Sequence, residues 1–85
     1  MYTVDYTRQA LKTHSKLPRN IALQIREKMA DITEDPYAQH GNVTKLQNRA
    51  GYGLRVGDWR VIYNIDRGKT IIIVIKIGTR GEVYR

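Results

Sequence analysis

Cysteine is missing altogether from this 85-residue chain, so neither a disulfide framework nor a thiolate-bound metal can be part of its design. That absence fits a reducing cytosol. Long apolar runs are missing too: the most apolar stretch, TIIIVIKI, is far shorter than the ~20 residues that span a bilayer. The opening MYTVDYTRQALK lacks the apolar segment behind a basic start that marks a secretory leader. Histidine occurs only twice. His14 falls on an expected helix and His40 in an expected loop, an arrangement that suggests neither a metal site nor a nucleophile–base pair. Gly51, Gly53 and Gly57 do not open a helix, so they form no phosphate loop and read as turn and strand-kink residues. The expectation is a soluble, cytoplasmic, single domain over residues 1–85, with no metal, no cofactor and no membrane partner.

Acidic side chains are scarce as well. The chain has 15 Lys and Arg against 8 Asp and Glu, a formal charge of +7. The excess is uneven, with seven basic against three acidic side chains in residues 51–85 and two against three in residues 31–50. A small domain this basic suits a polyanionic partner, nucleic acid first, although positive charge also serves solubility alone.

Hydrophobic spacing supplies the fold. YTVDY alternates and reads as a short strand, after which Thr7 can cap a helix running to about Lys16. Pro18 suits the first turn of a second helix, in which Ile21, Ile25, Met29 and Ile32 form one apolar stripe. That helix should stop before Asp35-Pro36. Residues 36–51 lack sustained periodicity and read as a loop, with a turn around Val43–Leu46. The period then changes to two. YGLRV, Gly57-Asp58 and WRVIYNI make a hairpin, and DRGK at 66–69 turns into TIIIVIKI, expected to be a central strand buried on both faces. Trp59, Val61, Tyr63 and Ile65 share one face of their strand; Arg60, Ile62 and Asn64 share the other. The sum is an α+β domain: an N-terminal strand, two helices, then a three-stranded antiparallel meander, with the helices packed on one face of the sheet.

The helix-free face is where a ligand is expected. Arg55, Arg60, Lys76, Arg80 and Arg85 lie on or beside the meander, interleaved with Tyr52, Trp59, Tyr63 and Tyr84. Guanidinium forks grip phosphate oxygens, and aromatic rings stack unpaired bases, which is how single-stranded RNA is commonly held. The plainer reading of each arginine is that it keeps an open strand face wet.

At LRVGDWRVIYNI and IKIGTRGEVYR the sequence resembles the RelE/ParE superfamily of bacterial and archaeal toxins, in particular its RelE ribonuclease branch. The likeness extends over nearly the whole chain, including YTRQALKTHSKLPRNIALQIREKMADI and VTKLQN. What it implies is a toxin of a type II toxin–antitoxin system that cleaves mRNA in the ribosomal decoding site without metal. A cognate antitoxin, expected to carry an acidic segment, would hold it inactive. The partners implied are thus that antitoxin, the ribosome and mRNA. The catalytic residues implied are Arg60, Arg80 and Tyr84, while Lys45, Arg55, Lys76 and Arg85 are expected from their charge to be nucleic-acid contacts. Arg60 and Arg80 would stabilise the phosphorane, and Tyr84 would stack on a base or pass a proton. RelE itself carries lysines where this chain has Gly51, Tyr52 and Gly53, and several relatives have a histidine where Thr79 stands. The usual general base is therefore absent from its expected positions, and Lys45 is the candidate substitute. Two alternatives stay open: a ParE-like inhibitor of DNA gyrase, and a basic RNA-binding domain without catalysis.

Overall fold

Thr7 is where the chain passes from strand to helix. The computed structural model, which describes residues 2–83, places strand β1 at Thr3–Tyr6 and helix α1 at Arg8–Ser15. The Thr7 hydroxyl accepts the Ala10 N–H at 3.2 Å and donates to the Ile75 carbonyl at 2.6 Å. One side chain thus caps a helix and ties it to a distant strand. Pro18, at φ −52°, stands immediately ahead of helix α2, Arg19–Glu34, one residue earlier than the expected first-turn position. Its missing N–H costs no helical bond there. Ile25, Met29 and Ile32 are buried on α2, as their spacing requires. Asp35 leaves helical space (φ −151°, ψ 87°), since the ring of Pro36 crowds a helical predecessor.

Four further strands and a short helix follow: β2 Val43–Lys45, β3 Tyr52–Val56, β4 Trp59–Asp66, β5 Ile71–Thr79 and α3 Arg80–Val83. They make one sheet with β1, in the order β1-β5-β4-β3-β2. β1 runs parallel to β5, and the other neighbours are antiparallel. β2 lies where the sequence pattern gives only a loop. Three residues are too few to display an alternation, and this strand exists because β3 offers it partners, Val43 opposite Leu54 and Lys45 opposite Tyr52.

β5 contains a bulge. Ile62 pairs with Lys76 but Tyr63 pairs with Val74, so Ile75 is an extra residue whose carbonyl turns to Thr7. The extra residue inverts the alternation. Ile72 and Val74 enter the core before it and Ile77 enters after it, which leaves Lys76 and Gly78 on the opposite face. The core lies between this face of the sheet and helices α1 and α2, and contains Ala10, Ile25, Met29, Ile32, Leu54, Val61 and Tyr63. The expectation that β5 is buried on both faces does not hold. Ile71, Ile73 and Ile75 are half-buried, because α1 and α2 both cover the other side.

A second small apolar contact occupies the far face. Ile62 and Val83 are buried there, at 0% and 1% exposure, outside the main core. α3 makes it by folding back over the sheet end. A Cβ at Gly78 would meet the Val83 Cγ1 at 3.1 Å, so glycine lets this helix lie against β5 without displacing the Val83 side chain. The expected two helices share one face, as anticipated; the third, unexpected one lies on the other.

Tyr63, 1% exposed, stacks on Tyr52 with ring centroids 5.5 Å apart and 20° between planes. Burial, and secondarily the neighbouring Tyr52, push its phenol up to about 12. The unfolded chain, with an ordinary phenol near 10.0, therefore loses this proton first as pH rises. The stability linked to Tyr63 is complete below pH 10 and disappears by about pH 12, a change of about 2–3 kcal/mol. Tyr63→Phe should flatten the fall of stability with pH across that window, measured by urea unfolding at stepped pH. An unchanged slope would contradict the assignment.

Candidate active site

The β3–β4 hairpin sets the site. Gly57 takes φ 58° at the first central position of a two-residue turn, where the II′ geometry wants glycine. This tight turn fixes the register, and Arg55 stands directly opposite Arg60. The Arg55 N–H points away from β4, to the Asn42 carbonyl at 2.8 Å. The arginine pair is thus of the non-hydrogen-bonded kind, in which facing side chains come closest. Like charges so placed repel, and a fold that keeps them there concentrates positive charge at one spot.

Both guanidiniums are held by neutral oxygens. Arg60 Nη1 donates to the carbonyls of Gly57 and Trp59 at 3.1 and 3.0 Å, and Arg55 Nη2 donates to Asn42 Oδ1 at 3.3 Å. Such partners orient a guanidinium without cancelling its charge. Arg80 comes from α3. The Thr79 N–H and hydroxyl both donate to Glu82 Oε1, at 3.1 and 2.6 Å, the first being the glutamate's half of a capping box. This fastens the first turn of α3 beside Arg60, whose partner across the sheet is Gly78. Asn42, Thr44, Gly53, Arg55, Arg60 and Arg80 together line an open cleft of about 460 Å³.

Of the residues anticipated from sequence, Arg55, Arg60 and Arg80 meet in this cleft. Lys76 lies on the same face but outside the lining, with its ammonium donating to the Glu82 carbonyl at 3.2 Å. Lys45 is not brought in. It pairs with Tyr52, whose ring packs against the core, while Thr44 occupies the cleft side. Tyr84 and Arg85 lie outside the described residues. The aromatic interleaving has another purpose than base stacking for Tyr52, Trp59 and Tyr63, which all pack on the core side of the sheet. Asn42, Thr44 and Glu82 were missed. Thr79-Arg80-Gly81-Glu82 is itself a capping-box signature and could have revealed α3.

Among the described residues the cleft offers cationic donors, an amide and a hydroxyl, but no carboxylate or imidazole. No group of three or more His, Cys, Asp or Glu that could hold a metal is found among them. The His14 ring lies edge-on to Tyr6 with centroids 5.7 Å apart, and the His40 Nε2 is bonded to the Asp35 carbonyl at 2.7 Å. No helix among the described residues is long and apolar enough to cross a membrane. Chemically, the arrangement can grip a phosphate and steady negative charge growing on it.

Fold and site thus define a small basic α+β domain that gathers arginines at a cleft on its less covered sheet face. The chain belongs to the family of the ParE toxin of type II toxin–antitoxin systems (parDE), whose model matches residues 4–84. It is 27% identical over 85 residues to the mRNA interferase toxin RelE of Escherichia coli K12, covering 98% of this chain and 90% of that one. It is likewise 27% identical to toxin RelG of Mycobacterium tuberculosis, over 99% of this chain and 97% of the relative. Isolated E. coli RelE superposes with a TM-score of 0.81 at 28% identity, over 99% of this chain and 92% of the other. The archaeal RelE–RelB complex from Pyrococcus horikoshii gives 0.80 at 27%, over 96% and 98%. These relatives place the chain in the RelE-like branch of the RelE/ParE superfamily.

Proposed function

We propose that this chain is the ribosome-dependent mRNA endoribonuclease of a type II toxin–antitoxin pair. The observation that carries the reading is the meeting of Arg55, Arg60 and Arg80 at one cleft; the naming of its relatives as mRNA interferases supports it. In the reaction the 2′-oxygen attacks the adjacent phosphorus and the bond to the 5′-oxygen breaks, leaving a 2′,3′-cyclic phosphate and a 5′-hydroxyl. The 2′-hydroxyl gives up a proton and the 5′-oxygen takes one. Arg60 and Arg80 stabilise the charge that builds on the phosphoryl oxygens between those events. Tyr84 serves as stacking platform or proton carrier, and Arg55, Lys76 and Arg85 attract the RNA backbone. With no base among the described lining residues, proton removal falls to Tyr84 or to groups of the ribosome. Lys45, on the other side of the sheet, is no longer a candidate for it.

The chain acts in the cytoplasm on ribosomes, and its control partner is an antitoxin, as in the solved RelB–RelE complexes of its relatives. An acidic antitoxin segment laid over the arginine cleft would neutralise it, with affinity that falls as salt rises. The family name favours one rival reading, a ParE-like inhibitor of gyrase. Toe-print mapping on translating ribosomes decides between them. Cuts within translated codons are expected on addition of the purified protein. Intact mRNA with inhibited DNA supercoiling would transfer the assignment to gyrase, and neither effect would leave only an RNA-binding domain.

A further inference from the structure

Asn42 holds Arg55 twice. It sits ahead of β2 at φ 65°, a left-handed conformation that asparagine tolerates better than most side chains. Its carbonyl accepts the Arg55 N–H at 2.8 Å, and its Oδ1 accepts from Arg55 Nη2 at 3.3 Å. A guanidinium can only donate, so the amide turns its oxygen toward Arg55, and its nitrogen stays uncommitted to that contact. The neighbour so gripped is the one that needs gripping. Arg55 is exposed, has a long flexible side chain, and faces the like charge of Arg60 across the hairpin. Left alone, it would swing into solvent, out of the cleft. An aspartate at position 42 would hold it harder but would cancel its charge; a neutral amide holds it and leaves the charge available.

We propose that Asn42 is a positioning residue of the cleft, holding the Arg55 guanidinium on the β2 side of the cleft so that Arg55 and Arg60 grip one phosphate from opposite flanks. The inference rests on the ribonuclease reading for its catalytic consequence, and on the geometry alone for the restraint of Arg55. Asn42 acts through Arg55.

The test uses the full chain with Asn42→Gly, because glycine accepts φ 65° without strain and the substitution removes only the amide. Arg55→Ala and the double variant complete a cycle. Single-turnover cleavage on programmed ribosomes at saturating toxin should fall roughly 5–20-fold in Asn42→Gly, the scale of a misplaced catalytic contact. The double variant should cut no more slowly than Arg55→Ala. Binding of a short single-stranded RNA should keep its salt slope in Asn42→Gly, since the same number of cations meets the backbone. ¹⁵N relaxation of the Arg55 Nε–H should change from ordered to mobile. Wild-type cleavage by Asn42→Gly, losses that multiply in the double variant, or an equally ordered Nε–H would each overturn the proposal. If the wild-type protein cuts no mRNA, it is the ribonuclease reading that falls, and the relaxation measurement still decides whether Asn42 restrains Arg55.

Discussion

Arg60→Ala is expected to lower the rate of mRNA cleavage by about 10²–10³-fold, the usual consequence of deleting one preorganised donor to a developing oxyanion. The fold should not suffer. Arg60 spends its hydrogen bonds on the Gly57 and Trp59 carbonyls at a solvent-facing turn, where water can replace it. Its removal also relieves the repulsion with Arg55, worth roughly 0.2–1 kcal/mol for facing side chains. The variant should therefore lose activity while its melting temperature stays level or rises slightly. Arg60→Lys should rescue little, because an ammonium cannot reproduce the planar fork. The checks are single-turnover cleavage on ribosomes and thermal unfolding of the same preparations. Cleavage within threefold of wild type, or a melting temperature lowered in step with activity, would remove Arg60 from the chemistry.

The second large effect concerns stability. Gly51→Lys looks like a repair, since RelE carries lysines in the strand before the hairpin. It should instead unfold the protein. Gly51 has φ 112°, and a Cβ there would stand 2.7 Å from the Tyr63 carbonyl oxygen. The obstruction is backbone in the middle of the sheet and cannot rotate away. Strained φ and overpacking together cost on the order of 3 kcal/mol, or roughly 10–20 °C in melting temperature for a domain of this size. Gly51→Ala should fail by nearly as much, which separates the Cβ collision from any effect of charge. A melting temperature unchanged in Gly51→Ala would refute this account of the position.

The parts of the molecule legible in the sequence are those in which a local period repeats often enough to be read. The α2 stripe from Ile21 to Ile32 and the hairpin around Gly57-Asp58 are of this kind. The same period of two already set Trp59 and Tyr63 against Arg60, and so argued that these rings could not stack on a base held by that arginine. Composition suggested otherwise, and the alternation was the better guide. β2 was illegible because three residues carry no period and its existence depends on β3. The bulge at Ile75 was hidden inside a run of isoleucine and valine, where every register looks alike. That bulge decides where Lys76 points, so its direction could not be read off either. Asn42 fell in an unpatterned loop, and its importance comes from a pairing with Arg55 that only the folded chain creates.

The parallel pairing of β1 with β5 carries a consequence for how the protein is made. Thr3–Tyr6 pairs with Ile71–Val74, so β1 must wait for β5, the last of the described strands. Contacts this distant along a chain close late and slowly. Arg80 follows directly on that final strand, which means the full set of guanidiniums cannot assemble on a nascent fragment. A chain stopped before β5 therefore holds Arg55 and Arg60 but neither Arg80 nor a partner for β1, and the complete cleft appears only once β5 and α3 are in place.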